Sequence, residues 1–226
     1  MAHTFLNLQI ALNKNLFLKD PLTSELGNNI LNGSIELIDL LGFERFTFKK
    51  LASEIQTTEA SIYRYFENKN KLLLYLTNWY WGCIATRLLF ETNNISDPEI
   101  RLRKAVHILT SFPNPEKDSL LKNEQLLKQI VINEAIKVVI TKGVDQENEI
   151  GIFGIYKDVV NTVVGIIKEI NEEYPYPNML VSNMIEGSNQ QRFFADHLPR
   201  LTNIADEKDL VEGFFQDLVF KAIKKG

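Results

Sequence analysis

Apolar residues recur at helical spacing along most of this chain. After Asp20-Pro21, the residues Leu26, Ile30, Leu31, Ile35, Ile38 and Leu41 share one helix face. Thr23 or Ser24 caps the start, and Gly42 stands where a C-terminal glycine ends a helix. Thr47 caps a second helix whose stripe is Leu51, Ala52 and Ile55. Gln56-Thr57 breaks that stripe, Thr58 caps again, and Glu59 places a negative charge in the first turn, where the helix dipole favours it. This third helix runs to Phe66. Phe43, Phe46 and Phe48 fill the space between the three. A short helix, a tight turn and a second short helix bearing hydroxyl, aromatic and basic groups is the layout of a helix-turn-helix DNA reader.

From Lys71 to Phe90 the pattern is apolar on nearly every face, which predicts a helix buried on most sides. Five more helices follow. Ser96-Asp97-Pro98 opens one to about Phe112, ended by Pro113 and Pro115. The others cover about 117–141, about 150–173, 178–197 and 206–224. Lys142-Gly143, a polar loop at Asp145–Glu149, Tyr174-Pro175-Tyr176-Pro177 and His197-Leu198-Pro199-Arg200 separate them. Residues 1–20 differ. Leu6, Leu8, Ile10 and Leu12 alternate with Asn7, Gln9 and Ala11, followed by a polar Asn13-Lys14-Asn15. Period-two alternation predicts extended segments or a small hairpin, which would have to pack on the body; an N-terminal arm is the other reading. The expected fold class is therefore all-α with about nine helices: an arm over 1–20, a three-helix domain over 21–68, and a helical domain over 69–226.

The chain has 226 residues, 45% hydrophobic and 24% charged, ordinary for a soluble globular protein. No apolar run nears the roughly 20 residues that span a bilayer, and no secretory leader pattern opens the chain. Cys83 is the sole cysteine, which excludes an intrachain disulfide and suits a cytoplasmic protein. The net charge of −4 is not that of a generally basic nucleic-acid binder. Between Arg45 and Lys71, however, six bases face three acids, for +3, so the remainder carries −7. No H-E-x-x-H, P-loop or G-x-S-x-G motif occurs, and no Glu stands three residues before His3, His107 or His197. Neither an enzyme nor a metal or other cofactor is expected.

The residues Leu51-Ala52, Gln56-Thr57-Thr58, Ala60-Ser61-Ile62-Tyr63, Tyr65-Phe66, Lys69 and Leu72 resemble the TetR family of bacterial transcriptional regulators in both type and spacing. The departures are Gln56 where that family has Gly and Thr57 where it has Val. Gly at a turn allows positive φ without strain, so Gln56 must adopt or shift that geometry. The resemblance implies an N-terminal helix-turn-helix domain joined to a C-terminal ligand-binding and dimerisation domain.

In a helix-turn-helix the start of the second helix meets base edges. Here that is Glu59, Ala60 and Ser61, which suit a cytosine amino group, a thymine methyl, and a base or phosphate respectively. The resemblance adds Lys49 within reach of DNA, and Thr47, Thr58, Tyr63, Tyr65 and Lys69 at phosphates. It implies double-stranded operator DNA as partner and a homodimer through the last two helices, with Leu180, Met184, Phe193, Phe194, Leu210, Phe214, Phe215, Leu218 and Val219 supplying apolar area. It also implies a small-molecule effector, for which Trp79, Cys83, His107, Phe153 and Tyr156 are candidate lining residues, being aromatic or polar on otherwise apolar helices. Binding of that effector would shift the connecting helix and change the spacing of the reading heads. A ligand-responsive repressor is the leading reading; a helical ligand-binding or adaptor protein with a degenerate DNA-binding head is the alternative.

Overall fold

A computed structural model of the chain describes residues 10–111, 121–134, 137, 142–204 and 210–224. Among these are ten α-helices and no strand. In order they are α1 (Glu25–Leu41), α2 (Phe48–Glu54), α3 (Glu59–Tyr63), α4 (Lys69–Thr92), α5 (Pro98–Thr110), α6 (Leu121–Glu134), α7 (Val144–Glu149), α8 (Gly154–Ile170), α9 (Pro177–His197) and α10 (Val211–Ile223). Short 3-10 turns occur at Lys14–Leu16, Pro21–Thr23 and Pro199–Leu201. The expected alternation before Ile10, the Pro113/Pro115 stop and the start of the last helix at 206–209 lie outside the described residues.

Several ends form as their residues dictate. Ser24, rather than Thr23, caps α1 by accepting the Gly27 N–H at 3.2 Å. Gly42, at φ +74°, closes α1 by donating to the Ile38 carbonyl. Asp97 caps α5 ahead of Pro98. Two expectations differ from the structure. The polar stretch Asp145–Glu149 is helical, because Asp145 and Glu147 sit in the first turn of α7, where the dipole favours acids. The long helix expected from residue 150 starts only at Gly154, because Gly151 adopts φ +77° and interrupts it. Residues 10–20 form no hairpin. Asn13 and Asp20 accept the amides two residues ahead of them, at 2.9 Å each. These local bonds favour turns over a strand ladder.

The chain divides into two compact units: Met1–Gly82 with Pro113–Gly154, and Cys83–Phe112 with Ile155–Gly226. In the first, Ile30, Leu31, Ile35 and Ile38 of α1 are buried together with Phe43, Phe46, Phe48, Leu51, Ile62 and Phe66. The α4 segment contributes Leu72 through Leu76, Trp79 and Tyr80 to that core. Helix α6 packs on α1. Its last residue, Glu134, accepts the Phe43 N–H at 3.0 Å and pairs with Lys137 at 2.6 Å. In the second unit, α10 packs against α5 and α9. Val106, Val163, Ile167, Val181, Met184, Phe215 and Val219 are buried. Arg101 pairs with Glu169, and Gln216 Nε2 donates to the Arg103 carbonyl at 2.8 Å.

Two glycines separate packing from propensity. A Cβ on Gly27 would lie 2.1 Å from the Pro21 carbonyl oxygen, whereas one on Gly165, exposed in α8, would meet nothing within 4 Å. Gly27→Ala is expected to lower unfolding free energy by about 1–3 kcal/mol. Gly165→Ala is expected to raise it by about 0.5–1 kcal/mol. Urea unfolding of the two variants checks both signs.

Candidate nucleic-acid interface

The reading segment is built by two caps and one turn. Thr47 Oγ1 accepts the Lys50 N–H and starts α2, while Thr58 Oγ1 accepts the Ser61 N–H and starts α3, both at 3.2 Å. Thr58 Oγ1 also lies 2.8 Å from Ser61 Oγ. Between the helices, Thr57 N–H donates to the Ala52 carbonyl and Gln56 N–H to the Ser53 carbonyl. This is the paired bonding of a Schellman ending, whose penultimate position must be left-handed. Gln56 occupies it at φ +53°. The turn therefore keeps the geometry that glycine would give, at a strain of about 1–2 kcal/mol.

Beyond the turn, Ile62 points inward and is fully buried, as are Tyr65 and Phe66. Glu59, Ala60, Tyr63 and Arg64 point outward and are exposed. Ser61 is half-buried, and Thr47, Lys49 and Thr58 are exposed. Tyr63 keeps 47% of its surface open while its ring packs edge-on against Phe48, with centroids 5.0 Å apart. The structure thus brings Thr47, Lys49, Thr58, Glu59, Ala60 and Tyr63 to the surface of one helix pair.

Two side chains expected at phosphates are engaged inside the domain instead. Lys69 Nζ donates to the carbonyls of Phe43, Glu44 and Phe46, at 3.0, 3.3 and 3.2 Å, and lies 4.6 Å from the Phe43 ring centre. An ammonium has three donors, and these three carbonyls take them. Tyr65 places its hydroxyl 2.8 Å from Ser24 Oγ. That hydrogen bond holds its phenol below the ordinary range, against the opposing effect of burial and with help from Lys19.

Burial also changes the charge count. Lys69 is turned inward and Lys71 pairs with Glu147 at 3.7 Å. Arg45, Lys49, Lys50 and Arg64 remain exposed beside Glu54, Glu59 and Glu67, four bases against three acids. Arg64, next to Tyr63 on the exposed side, was not among the expected contacts. Its signal was available in the sequence as the one base inside the third helix.

The residues named for the other two partners fall differently. Trp79 and Cys83 are buried, Phe153 and Tyr156 half-buried. The Tyr156 hydroxyl donates to Glu186 Oε1 at 3.0 Å, and burial first, then the Glu186 charge, raises its phenol well above the ordinary range. His107 is exposed, with Nδ1 2.9 Å from Glu212 Oε2. Two clefts of about 250 and 290 Å³ are lined by Gln191, Leu201–Ile204, Leu210, Val211 and Phe214, and by Asn29, Asn32, Gly33, Glu36 and Glu54–Gln56. None of the five candidate effector residues lines either. On α9 and α10, Met184, Phe215 and Val219 face their own unit, whereas Phe193, Leu210, Phe214 and Leu218 are exposed and Leu180 and Phe194 half-buried. Met179, Leu198 and Leu201, also exposed there, were missed.

The geometry defines an all-helical protein headed by a helix-turn-helix. Residues 30–76 match the family described as bacterial regulatory proteins, tetR family. In this head the chain resembles the TetR family. A curated relative, the nucleoid occlusion factor SlmA of Shewanella frigidimarina, is 28% identical over 101 residues, covering 44% of this chain. The match spans 51% of that relative's length. Among solved structures, the fatty acid degradation regulator FadR from Bacillus halodurans matches with a TM-score of 0.60 at 16% identity, over 85% of this chain and 93% of that one. AibR in complex with isovaleryl coenzyme A and operator DNA matches with a TM-score of 0.52 at 15% identity, over 84% and 93%. At these identities the two structures establish a shared fold.

The strain at Gln56 is removable. Gln56→Gly relieves the left-handed cost and adds back about 0.5–1 kcal/mol of glycine's own unfolded-state entropy. A net gain of about 0.5–1 kcal/mol in unfolding free energy is expected, read as a higher midpoint in denaturant with an unchanged slope.

Proposed function

We propose that the chain is a DNA-binding transcriptional regulator, a repressor that grips a near-palindromic operator as a dimer and responds to a small-molecule effector. The observation that carries this reading is the outward set Thr58, Glu59, Ala60 and Tyr63 on a capped helix beside Thr47 and Lys49, all of them exposed. Base contacts belong to Glu59, Ala60 and Ser61. Phosphate contacts belong to Thr47, Lys49, Thr58, Tyr63 and Arg64, with Tyr65 and Lys69 supporting them from behind.

The dimer reading rests on α10. Its exposed positions Leu210, Gly213, Phe214, Asp217, Leu218 and Lys221 recur every three or four residues and form one face. Large apolar side chains supply half of that face, and Met179 and Phe193 extend it on α9. Exposed apolar area of this kind marks an association surface. A two-fold pairing there would set two α3 helices about one DNA turn apart, roughly 34–36 Å. The effector reading draws on AibR, whose complex holds both a coenzyme A ester and operator DNA. An effector releases operator only by binding the DNA-incompetent state more tightly than the competent one.

The purified chain mixed with its own upstream intergenic DNA should form a complex that weakens with salt. Lys49→Ala should reduce the slope of log affinity against log salt by about one and leave the fold intact. Phe214→Asp should yield a monomer in sedimentation and lose operator binding. A folded dimer that binds no upstream fragment in low salt without effector would overturn the regulator reading and favour the adaptor alternative.

A further inference from the structure

The segment before α1 is tied to the reading helix more closely than an N-terminal arm need be. Helix α3 has five residues, too few to hold itself together, so both of its ends require outside partners. Thr58 serves the start. The end is served from residues 18–24. Leu18 N–H donates at 2.8 Å to the carbonyl of Tyr65, two residues past the end of α3. Lys19 Nζ stands 5.0 Å from the Tyr65 ring centre, and Ser24 meets the Tyr65 hydroxyl. The same segment is anchored upstream. Leu16 is fully buried, Phe17 packs edge-on against Tyr75 with centroids 5.9 Å apart, and Ile10 occupies a notch where a Cβ on Gly82 would lie 2.3 Å from it. Asn13 Nδ2 donates to the Ile150 carbonyl at the end of α7, at 2.7 Å.

We propose that residues 10–20 form a strap that sets the position of the reading helix, with Leu18 N–H and Lys19 as its positioning groups and Asn13, Leu16 and Phe17 as its anchors. The strap touches no DNA in this assignment. It acts through Tyr65, whose side chain the domain has already turned inward. Its bearing on operator affinity rests on the regulator reading above; its hold on α3 does not.

The Leu18 side chain is 67% exposed, so substitution there changes mainly the backbone donor. In the full chain, Leu18→Pro removes the N–H and Leu18→Ala keeps it. Amide hydrogen exchange in the free protein should be about tenfold faster over residues 59–66 in Leu18→Pro, with α1 and α8 unchanged, and within about twofold of wild type in Leu18→Ala. Operator affinity should fall by a similar factor in the first variant only. Tyr65→Phe deletes the bond to Ser24, keeps the ring, and should raise exchange in the same window. Equal exchange in all three variants and wild type would overturn the strap. A wild-type chain that binds no DNA would overturn the regulator reading while the exchange comparison still tests the strap.

Discussion

Three backbone carbonyls converge on the ammonium of Lys69, and the reading head depends on that knot. Helix α1 ends at Gly42, and the chain must reverse before α2 begins at Phe48. The carbonyls of Phe43, Glu44 and Phe46 have no helical partners in this reversal. Lys69 satisfies all three from the start of α4, and Glu134 takes the Phe43 N–H from the end of α6. A partly buried polar backbone without partners is costly, so the loop follows the cation. Where the loop goes, Thr47 and α2 follow, and α3 follows through the Schellman turn.

The same economy explains why so few residues are left for DNA. Tyr65, Lys69 and Lys71 hold the domain together, and their polar atoms are already matched. What remains outside is a small set of hydroxyls, one aromatic ring, four bases and three acids. A surface so close to neutral cannot hold a duplex by charge alone. In the proposed dimer, pairing two heads would double the contacts and add the geometric selection of a spaced site, so the exposed face of α10 would matter to DNA as much as α3 itself. The strap over Tyr65 belongs to this scheme, because a reader with few contacts is sensitive to small displacements of each one.

The helix-turn-helix was legible because its determinants are local. Thr47, Thr58 and Gly42 act on amides and carbonyls within four residues of themselves, and the stripe Leu51, Ala52, Ile55 needs no partner to be recognised. The departure at Gln56 was legible as well, since the turn dictates a left-handed residue whatever its side chain. Less was legible where competing local signals overlap. Alternating residues near the N-terminus suggested extended chain, but Asn13 and Asp20 form side-chain turns, and the polar run at Asp145–Glu149 suggested a loop although its acids suit a helix start.

The sequence by itself determined the helical class, the caps, the reading segment and the family its head resembles, because periodicity and capping are properties of neighbours. Only the tertiary structure decided that Lys69 and Tyr65 face inward, that Met184, Phe215 and Val219 serve their own core while Phe214 and Leu218 do not, and that residues 10–20 bind the end of α3. Those choices rest on contacts between residues tens of positions apart, where a lysine's three donors or an open backbone carbonyl find whichever partner the fold brings near.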